Sequence, residues 1–374
     1  MVRVLHYLSG LADIKAGVET YIVNLYSFLS KDEFEFSILT RNAKSGSMLN
    51  ELLKNSGIKI YEIPIPTLNV VSMFQYRKEL NTFFKAHQGD FDFLHMHGCD
   101  DPFVIQEAKR YGIDATAIHV HSLSRENKNA IKNTIKGFTA KANIRNANFR
   151  FACSELAGKS LFPDNKFEVI KNTIDTEKFA FDPDKRNVFR EQFGLCNDQL
   201  AICFCGRFSD IKNIPFLLQI FRDLTLLNSS VRLFLIGDGE KKNELVENVK
   251  MLNIQDRVVF TGEVEDVSGI LSAMDLYLQT SFKEGFSISA LEAQCSGLTT
   301  ILTNGFPDDV ILTDLVISKS LNDESGEWAQ LINKLILHKD RERKHYADII
   351  KAAGYDTEQS AIYMSGVYKN AKND

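Results

Sequence analysis

Two glutamates eight residues apart, Glu284 and Glu292, frame the segment of this chain that is best suited to chemistry. Residues 274–281 have the pattern of a short buried strand, and residues 288–295 have that of a helix that ends before Gly297. Backbone N–H groups in the first turn of a helix lack intrahelical partners and can bind an anion. Glu292 lies about 12 Å along the same helix, at 1.5 Å per residue. We therefore predict two carboxylates that grip the two ends of a nucleotide-like ligand.

A second candidate is the loop that follows the predicted strand 200–205. Gly206 allows a tight turn there, and Arg207 and Lys212 put two cations into one loop. Two cations beside the start of a helix suit a diphosphate, whose charge must be held and then stabilised as it leaves. A solvated loop has the same composition, so this interpretation depends on the loop being read together with the Glu284 turn.

Further turns carry weaker signals. Gly237 and Gly239 form a Gly-x-Gly turn after a strand, but the third glycine of a dinucleotide fingerprint is absent. Residues 261–264 could bring backbone close to a flat base, and a plain turn is an equal alternative. Gly17 would permit close approach of a ligand, while Glu19 falls in a first helical turn, where an acid also simply favours the helix dipole.

Two pairs of alternating histidines end predicted strands: His95 with His97, and His119 with His121. Alternate residues of a strand point the same way, so each pair could in principle hold a metal ion. No cysteine or carboxylate lies at an obvious ligand spacing. We therefore predict no metal site, with one histidine of each pair lining the ligand site and the other packing.

Bulk composition limits the function classes. A chain of 374 residues that is 44% hydrophobic favours two domains. The net charge of −5 argues against general nucleic-acid binding, with 21 Lys/Arg against 18 Asp/Glu in residues 1–170 and 23 against 31 in the rest. None of the six cysteines forms a C-x-x-C pair, which indicates reduced, mostly buried thiols in a cytosolic protein.

Membrane contact is expected to be peripheral. No apolar run approaches the roughly 18 residues of a membrane span, and the N-terminus has a strand pattern instead of a signal peptide. Residues 125–150 carry seven Lys/Arg and one acid. Such a basic helix can lie on anionic lipid, although a solvated face over an apolar stripe is the alternative. We expect a cytoplasmic protein, with peripheral binding to the inner face of the plasma membrane as an open alternative.

Short apolar runs alternate with helical patterns, which indicates βα units and parallel sheets, an α/β protein of two doubly wound units. The predicted strands are 2–8, 34–40, 58–63, 91–96, 115–120, 149–153 and 167–170, then, after a polar segment at 172–185, 200–205, 231–236, 257–260, 276–280, 299–302 and 315–317. The main predicted helices are 17–30, 72–87, 125–147, 323–337, 340–353 and 357–371.

These motifs together resemble the retaining glycosyltransferases of family 4, particularly bacterial capsular, exopolysaccharide and O-antigen enzymes. The resemblance is carried by Gly206-Arg207 with Lys212-Asn213, Gly237-Asp238-Gly239, Phe260-Thr261-Gly262, and Glu284-Gly285 with Glu292. The strand ends at 119–122, 151–154 and 169–172 extend it over nearly the whole chain. It implies the GT-B fold, in which two Rossmann-like domains face each other across a cleft. Residues 1–172 would bind the acceptor and 173–355 the donor, while 356–374 would form a helix that packs back onto the first domain.

The resemblance also implies residue roles. Arg207 and Lys212 would neutralise the diphosphate, Glu284 would contact the transferring sugar, and His121, or less so His119, would lie near the reacting centre. The implied donor-binding residues are Gly17, Glu19, Gly206, Gly237, Val264, Gly285, Phe286, Ser287 and Glu292, of which 285–287 offer N–H groups to phosphate and Glu292 binds the ribose. The implied acceptor side comprises His97, His119 and Ser122. The family usually needs no bound metal or other cofactor.

The resemblance predicts transfer of a hexosyl or N-acetylhexosaminyl group, with retention, to a lipid-linked or oligosaccharide acceptor. UDP is chosen as the nucleotide because UDP donors are common in the group. The chain has Ala16-Gly17 where the family often has paired glycines, and Asn172-Thr173-Ile174-Asp175 where it often has Asn-Gly. A sugar-nucleotide epimerase or hydrolase of the same fold, or a non-catalytic sugar-nucleotide-binding subunit of a transferase pair, remain alternatives.

Overall fold

The chain folds into two compact units. We describe a computed structural model that covers residues 1–10, 17–41, 56–65, 70–121, 139–196, 198–336 and 342–373. The first unit comprises Met1–Thr173 together with Thr357–Asp374, and the second comprises Ile174–Asp356. The boundaries expected from the sequence, after residues 172 and 355, each differ from these by one residue.

The first unit is built on a seven-stranded sheet in which every neighbouring pair is parallel. Its strands, in chain order, are β1 (Val2–Leu8), β2 (Phe34–Thr40), β3 (Lys59–Glu62), β4 (Phe93–His97), β5 (Ala115–Val120), β6 (Phe149–Ala152) and β7 (Glu168–Val169). They lie in the order β3-β2-β1-β4-β5-β6-β7. This order reverses next to β1, and in such sheets ligands bind beyond the carboxyl ends of the strands.

Helices cover both faces of this sheet, because its strands bury side chains on both sides. They are α1 (Gly17–Ser27), α2 (Val70–Ala86), α3 (Val104–Arg110) and α4 (Glu155–Leu161), and residues 139–146 are helical as well. The C-terminal helix, Thr357–Asn373, also belongs to this unit. It packs Met364 and Tyr368 into the same apolar cluster as Tyr21 and Leu25 of α1. Of the helix predicted at 125–147, residues 125–138 lie outside the described residues, and residues 139–146 are helical.

The second unit repeats the architecture with six parallel strands. They are β8 (Leu200–Cys205), β9 (Val231–Ile236), β10 (Val258–Gly262), β11 (Leu276–Gln279), β12 (Thr299–Thr303) and β13 (Val316–Lys319), in the order β10-β9-β8-β11-β12-β13. The helices are α5 (Thr176–Phe179), α6 (Pro183–Gln192), α7 (Ile214–Leu227), α8 (Lys242–Met251), α9 (Val267–Ala273), α10 (Ile288–Cys295), α11 (Ser325–Ile336) and α12 (Tyr346–Ala352), followed by the C-terminal helix, now α13.

The polar segment after residue 172 is more ordered than the sequence suggested, since it contains α5 and the start of α6. Its acids act as helix caps. Asp175 accepts a hydrogen bond from the Lys178 N–H at 2.9 Å, and Asp182 accepts from Lys185 at 3.0 Å. A side-chain oxygen at the N-cap satisfies an N–H that has no intrahelical partner.

The structure bears on two expectations, reduced cysteines and the lack of a membrane-spanning helix. Four cysteines are buried, Cys205 is half-buried and Cys196 is exposed, and none of the six forms a disulfide. Among the helices that the structure describes, none combines the length and the apolarity that a membrane crossing requires.

Candidate functional site

Three glycines form the floor of the candidate site, at the carboxyl ends of the adjacent strands β8, β9 and β10. Gly206 donates its N–H to the Ile236 carbonyl at 2.9 Å, and Gly237 donates to the Gly262 carbonyl at 2.9 Å. A Cβ atom on Gly237 would lie 2.2 Å from the Gly206 carbonyl oxygen. Gly237 also has φ 127°, which L-residues with side chains rarely adopt. The ends of β8 and β9 therefore approach each other closely because Gly237 lacks a side chain.

The centre of the site is an ion pair between Lys212 and Glu284. The Lys212 Nζ lies 2.7 Å from Glu284 Oε1, and the two side chains are 18% and 12% exposed. Lys212 ends a short 3₁₀ turn whose next residue, Asn213, is left-handed with φ 49°. The Thr280 hydroxyl donates to the Asn213 carbonyl at 3.0 Å. This contact ties the lysine loop to the carboxyl end of β11, from which the glutamate turn departs.

Gln279, the last residue of β11, orients Glu284. Its Nε2 donates to Glu284 Oε1 at 2.9 Å and to the Ser281 hydroxyl at 3.0 Å. Its Oε1 accepts from the Tyr277 hydroxyl at 2.8 Å and from the Ser287 hydroxyl at 3.0 Å. Burial raises the pKa of Tyr277, so its hydroxyl stays protonated and remains a donor. Every hydrogen-bonding position of the buried amide is thus used.

The turn after Glu284 leads directly into α10. The Glu284 N–H donates to the Gly305 carbonyl at 3.1 Å, and the Ser287 hydroxyl caps the helix by accepting from the Ala290 N–H at 3.3 Å. In the described part of the chain, no group accepts a hydrogen bond from the backbone N–H of Gly285, Phe286 or Ser287. The predicted helix over 288–295 is therefore confirmed, and the turn before it has three N–H groups to offer, while anion binding there stays a prediction.

The remaining residues of the predicted donor set surround this turn. The Phe286 ring stacks on Tyr355, with 5.5 Å between the ring centroids. Glu292 is half-buried on α10, and Val264 packs against the apolar cluster beneath the helix. The Glu284 network uses Oε1 alone, so among the described residues Oε2 forms no hydrogen bond.

Arg207 lies apart from the Lys212–Glu284 pair, and its predicted contact with a diphosphate stays a prediction. Its Nε pairs with Glu240 Oε2 at 3.0 Å, and both side chains are about half exposed. An exposed pair of this kind contributes little to stability, so Arg207 can exchange Glu240 for another anion at small cost.

The first unit brings five histidines together. One lies on β1, two lie on β4, one lies on β5 and one directly follows β5. We call them the histidine cluster: His6, His95, His97, His119 and His121. His95 and His119 are fully buried, whereas His97 and His121 are half-buried. This agrees with one histidine of each pair packing, and it makes His121 more accessible than His119.

Other predicted residues of the first unit are only partly described. Gly17 begins α1, and Glu19 lies in its first turn with 3% of its surface exposed. Ser122 and most of the basic segment, residues 125–138, lie outside the described residues.

Comparison with known proteins decides the family. Residues 16–178 match the family model described as Glycosyltransferase Family 4, and residues 185–354 match that described as Glycosyl transferases group 1. The chain is a glycosyltransferase of family 4. Its two parallel-sheet units form the GT-B fold, as in the crystal structure of Anabaena HepE in complex with UDP and glucose, with a TM-score of 0.78, 17% identity and coverage of 99% of this chain and 100% of that one.

Two curated relatives match this glycosyltransferase over most of its length. EpsF of Bacillus subtilis (strain 168), provisionally named a glycosyltransferase, is 27% identical over 98% of this chain and 96% of its own. An Escherichia coli UDP-Gal:alpha-D-GlcNAc-diphosphoundecaprenol alpha-1,3-galactosyltransferase is 26% identical over 79% of this chain and 78% of its own.

Sequence reasoning missed three residues that the structure brings into these sites: His6, Asn172 as a side-chain partner, and Gln279. His6 and Gln279 are polar residues in buried strands, where a polar side chain is stable only with hydrogen-bond partners, and Asn172 is a buried polar residue after β7. That mismatch was visible in β1 and in β11, but the identity of the partners was not.

Proposed function

We propose that this glycosyltransferase moves a sugar from UDP to a lipid-linked or oligosaccharide acceptor, with retention of configuration, in the biosynthesis of a surface polysaccharide. The E. coli relative is named for a UDP-galactose donor and a diphosphoundecaprenol acceptor, and the HepE crystals contain UDP. Both names support the donor class, while the acceptor class rests on the E. coli relative and on the family resemblance.

The Lys212–Glu284 pair next to three unpaired backbone N–H groups is the observation that carries the proposal. The N–H groups of 285–287 and the Lys212 ammonium provide positive charge for a departing diphosphate. Glu284 Oε2 is open to accept a hydrogen bond from a sugar hydroxyl. Glu292, two turns along α10, suits the ribose hydroxyls.

Arg207 completes the diphosphate site in this proposal by leaving Glu240 for the second phosphate. Guanidinium binds phosphate in a bidentate, charge-assisted manner, which is stronger than an exposed carboxylate pair. Gly206 and Gly237 let the diphosphate approach the backbone, and Val264 lies beside the position of the base. Gly17 and Glu19 of α1 are assigned to donor binding. The acceptor side is assigned to His97, His119 and Ser122, and His121 is assigned to the reacting centre.

The chemistry follows from this distribution of charge. Departure of UDP leaves an oxocarbenium-like sugar. The acceptor hydroxyl attacks this sugar from the face that UDP leaves, and the leaving phosphate takes the proton of the hydroxyl. No metal or other cofactor is part of this mechanism. We further propose that the enzyme works at the cytoplasmic face of the membrane, where basic residues such as Lys141 and Arg145 of the segment 125–150 would contact anionic lipid.

The decisive experiment measures donor binding and acceptor dependence separately. In a thermal-shift panel of UDP-, GDP- and ADP-sugars, only the UDP-sugars should raise the melting temperature of the protein. A ligand that binds the native state raises its apparent stability. UDP release should then accelerate when a diphosphoundecaprenol-linked sugar is added. Release that ignores the acceptor would indicate a hydrolase or epimerase, and binding without turnover across an acceptor panel would indicate a non-catalytic subunit.

A further inference from the structure

Three of the clustered histidines form a continuous chain of hydrogen bonds that ends on an amide. His6 Nδ1 lies 2.9 Å from His97 Nε2, and His97 Nδ1 lies 2.8 Å from His121 Nε2. His121 Nδ1 lies 3.0 Å from Oδ1 of Asn172, which is 6% exposed. We call His6, His97 and His121 the histidine file. It runs across the carboxyl ends of β1, β4 and β5, three strands that neighbour one another in the sheet.

The amide at one end determines which nitrogen of each ring carries the proton. An amide oxygen only accepts, so His121 donates through Nδ1–H and accepts at Nε2. His97 must then donate through Nδ1–H to His121, and His6 must donate through Nδ1–H to His97. The file ends at His6 Nε2, which is buried and has no partner among the described residues.

The opposite direction is less favourable. If the Asn172 amide were turned to donate, every proton would move to Nε2, and the file would end in a buried N–H at His6 with no acceptor. An orphaned buried donor is rarer in native structures than an orphaned acceptor, because its desolvation is not compensated. The same three distances therefore favour one ordered set of tautomers.

A consequence concerns His121. Both of its ring nitrogens are occupied, one by Asn172 and one by His97, so neither has a lone pair to accept a proton from an acceptor hydroxyl. We propose that His6, His97 and Asn172 are positioning residues that hold His121 as a neutral Nδ1–H tautomer, so that it shapes the acceptor side of the site without acting as a base. This inference rests on the proposed function for the position of His121, but the tautomers themselves do not depend on it.

The surroundings of the file support a neutral chain. His95 and His119 stack beside it, and the neighbouring helices contribute Tyr21 of α1 and Tyr368 of α13. Glu19 is buried on the same helix as Tyr21, while Phe36 of β2 and Phe151 of β6 contact the cluster. Burial lowers the pKa of His6 to about 3 and that of His121 to about 4.

A metal ion is the competing explanation for so many histidines. Two sets of three have ligand atoms within 4.8 Å of one another: His6 with His95 and His97, and His97 with His119 and His121. A divalent ion bound by either set would need lone pairs that converge on one point. In this structure the lone pairs at His97 Nε2 and His121 Nε2 instead accept directional hydrogen bonds, and the described histidine set includes no carboxylate to balance the charge.

The test is the ¹⁵N spectrum of the histidine side chains in the full-length protein, without donor or acceptor. The protonated and bare ring nitrogens differ in chemical shift, and single His→Gln variants assign the eight histidines. We expect His6, His97 and His121 to be Nδ1–H tautomers that do not change between pH 6 and pH 8. An Nε2–H tautomer at His121, an imidazolium in that pH range, or stoichiometric zinc retained by the purified protein with perturbed ring nitrogens would overturn the proposal.

Two substitutions of His97 extend the test to turnover. His97→Asn keeps a donor near the Nδ1 position, whereas His97→Gln puts its amide near Nε2. We expect the Nδ1–H tautomer of His121, which Asn172 sets, to persist in both variants. His97→Asn should keep the donor to His121 Nε2 and the pH profile of kcat/KM, whereas His97→Gln should lose that donor, change the pH profile and lower kcat by about tenfold, the size of one hydrogen bond. Equal kinetics of the two variants contradict the inference.

His87→Gln is the matched control, since His87 lies in the same unit but pairs with Asp90 at the surface. It should leave both the spectrum of the file and the turnover unchanged. If no transfer activity is found with any donor, the ¹⁵N spectrum still decides the tautomers, so failure of the proposed function and failure of this inference are distinguishable.

Discussion

The two sites of this glycosyltransferase solve opposite electrostatic problems at equivalent places in their sheets. In the second unit, Lys212 and Glu284 form an ion pair of 2.7 Å between partly exposed side chains. In the first unit, five imidazoles are packed together, and burial lowers the pKa of each, so they are neutral. A site that must stabilise a departing diphosphate needs permanent charge, whereas a surface that only positions groups is cheaper to keep neutral.

The difference also shows in how each site is held. Glu284 is oriented by Lys212 and by Gln279, the last residue of the preceding strand β11, whose amide has all its hydrogen bonds satisfied. The histidine file is held from its end by Asn172 and leaves His6 Nε2 without a partner among the residues that the structure describes. We therefore expect the charged site to be sensitive to single substitutions and the neutral one to be sensitive to pH.

Acidification should have the largest effect. Because the folded-state pKa of each clustered histidine is lowered below 6.5, the unfolded chain binds more protons below that pH. The first unit therefore has its full stability above about pH 6.5. Its free energy of unfolding falls as the pH drops toward 4, by up to about 1.4 kcal/mol per pH unit for each histidine. Hydrogen exchange of first-unit peptides should report this loss.

The second unit provides the internal comparison, since the chain's single tryptophan, Trp328, is buried in its core. Trp328 fluorescence should keep its native spectrum at a pH where the first unit has already lost exchange protection. His6→Gln should flatten the pH dependence and His87→Gln should not. Coincident transitions by both probes would mean that the clustered histidines do not control acid stability.

Lys212→Met should have the largest effect on activity. Loss of one preorganised donor to the leaving group lowers kcat by about 10²–10³. Lys250→Met, which breaks the exposed pair of Lys250 with Glu247, should change neither activity nor stability. Steady-state kinetics and urea unfolding of both variants give the comparison.

The double variant Lys212→Met/Glu284→Gln separates stability from chemistry. Neutralising Glu284 removes the unpaired charge that the single variant leaves behind, so the free energy of unfolding should recover to within about 1 kcal/mol of the parent. Activity should stay low. Recovery of activity together with stability would assign Lys212 a structural role only.

Gly237→Ala tests the glycine floor against Gly262→Ala. A Cβ on Gly262 would meet no atom within 4 Å, so only its left-handed backbone, with φ 70°, is strained, at about 1–2 kcal/mol. A Cβ on Gly237 would lie 2.2 Å from a carbonyl oxygen, and the cost should rise to about 3–5 kcal/mol. Equal midpoints in urea unfolding would show that the floor can relax.

Ser287→Ala should have the smallest effect. It removes a helix cap, worth about 1 kcal/mol, and a hydrogen bond to Gln279. Ser154→Ala removes the equivalent cap of α4, where the hydroxyl accepts from Ala157, in the first unit. Both should lower the free energy of unfolding similarly, but only Ser287→Ala should lower turnover, by less than about tenfold. A matching loss of turnover in Ser154→Ala would contradict a specific role for Ser287.

Much of the fold was predictable because its signals are local. Apolar runs at 2–8, 34–40, 115–120, 200–205 and 231–236 coincide with β1, β2, β5, β8 and β9, and the helix over 288–295 ends before Gly297, whose φ is 67°. Buried parallel strands are continuous apolar stretches, and a glycine after a helix favours the left-handed conformation that ends it. The polar residues 175–185 were wrongly interpreted as a linker without helices. An aspartate that caps a helix cannot be told by residue type from an aspartate in a loop.

The sequence by itself determined the alternation of strands and helices, the glycines at strand ends, and the presence of Glu284, Lys212 and the histidine pairs at those ends. Only the tertiary structure decided partners. Lys212 faces Glu284 while Arg207 faces Glu240, and His6, 91 residues before His97, joins the histidines of β4 and β5. Strand order brings distant residues together, and nothing local encodes which polar side chain will meet which across a sheet.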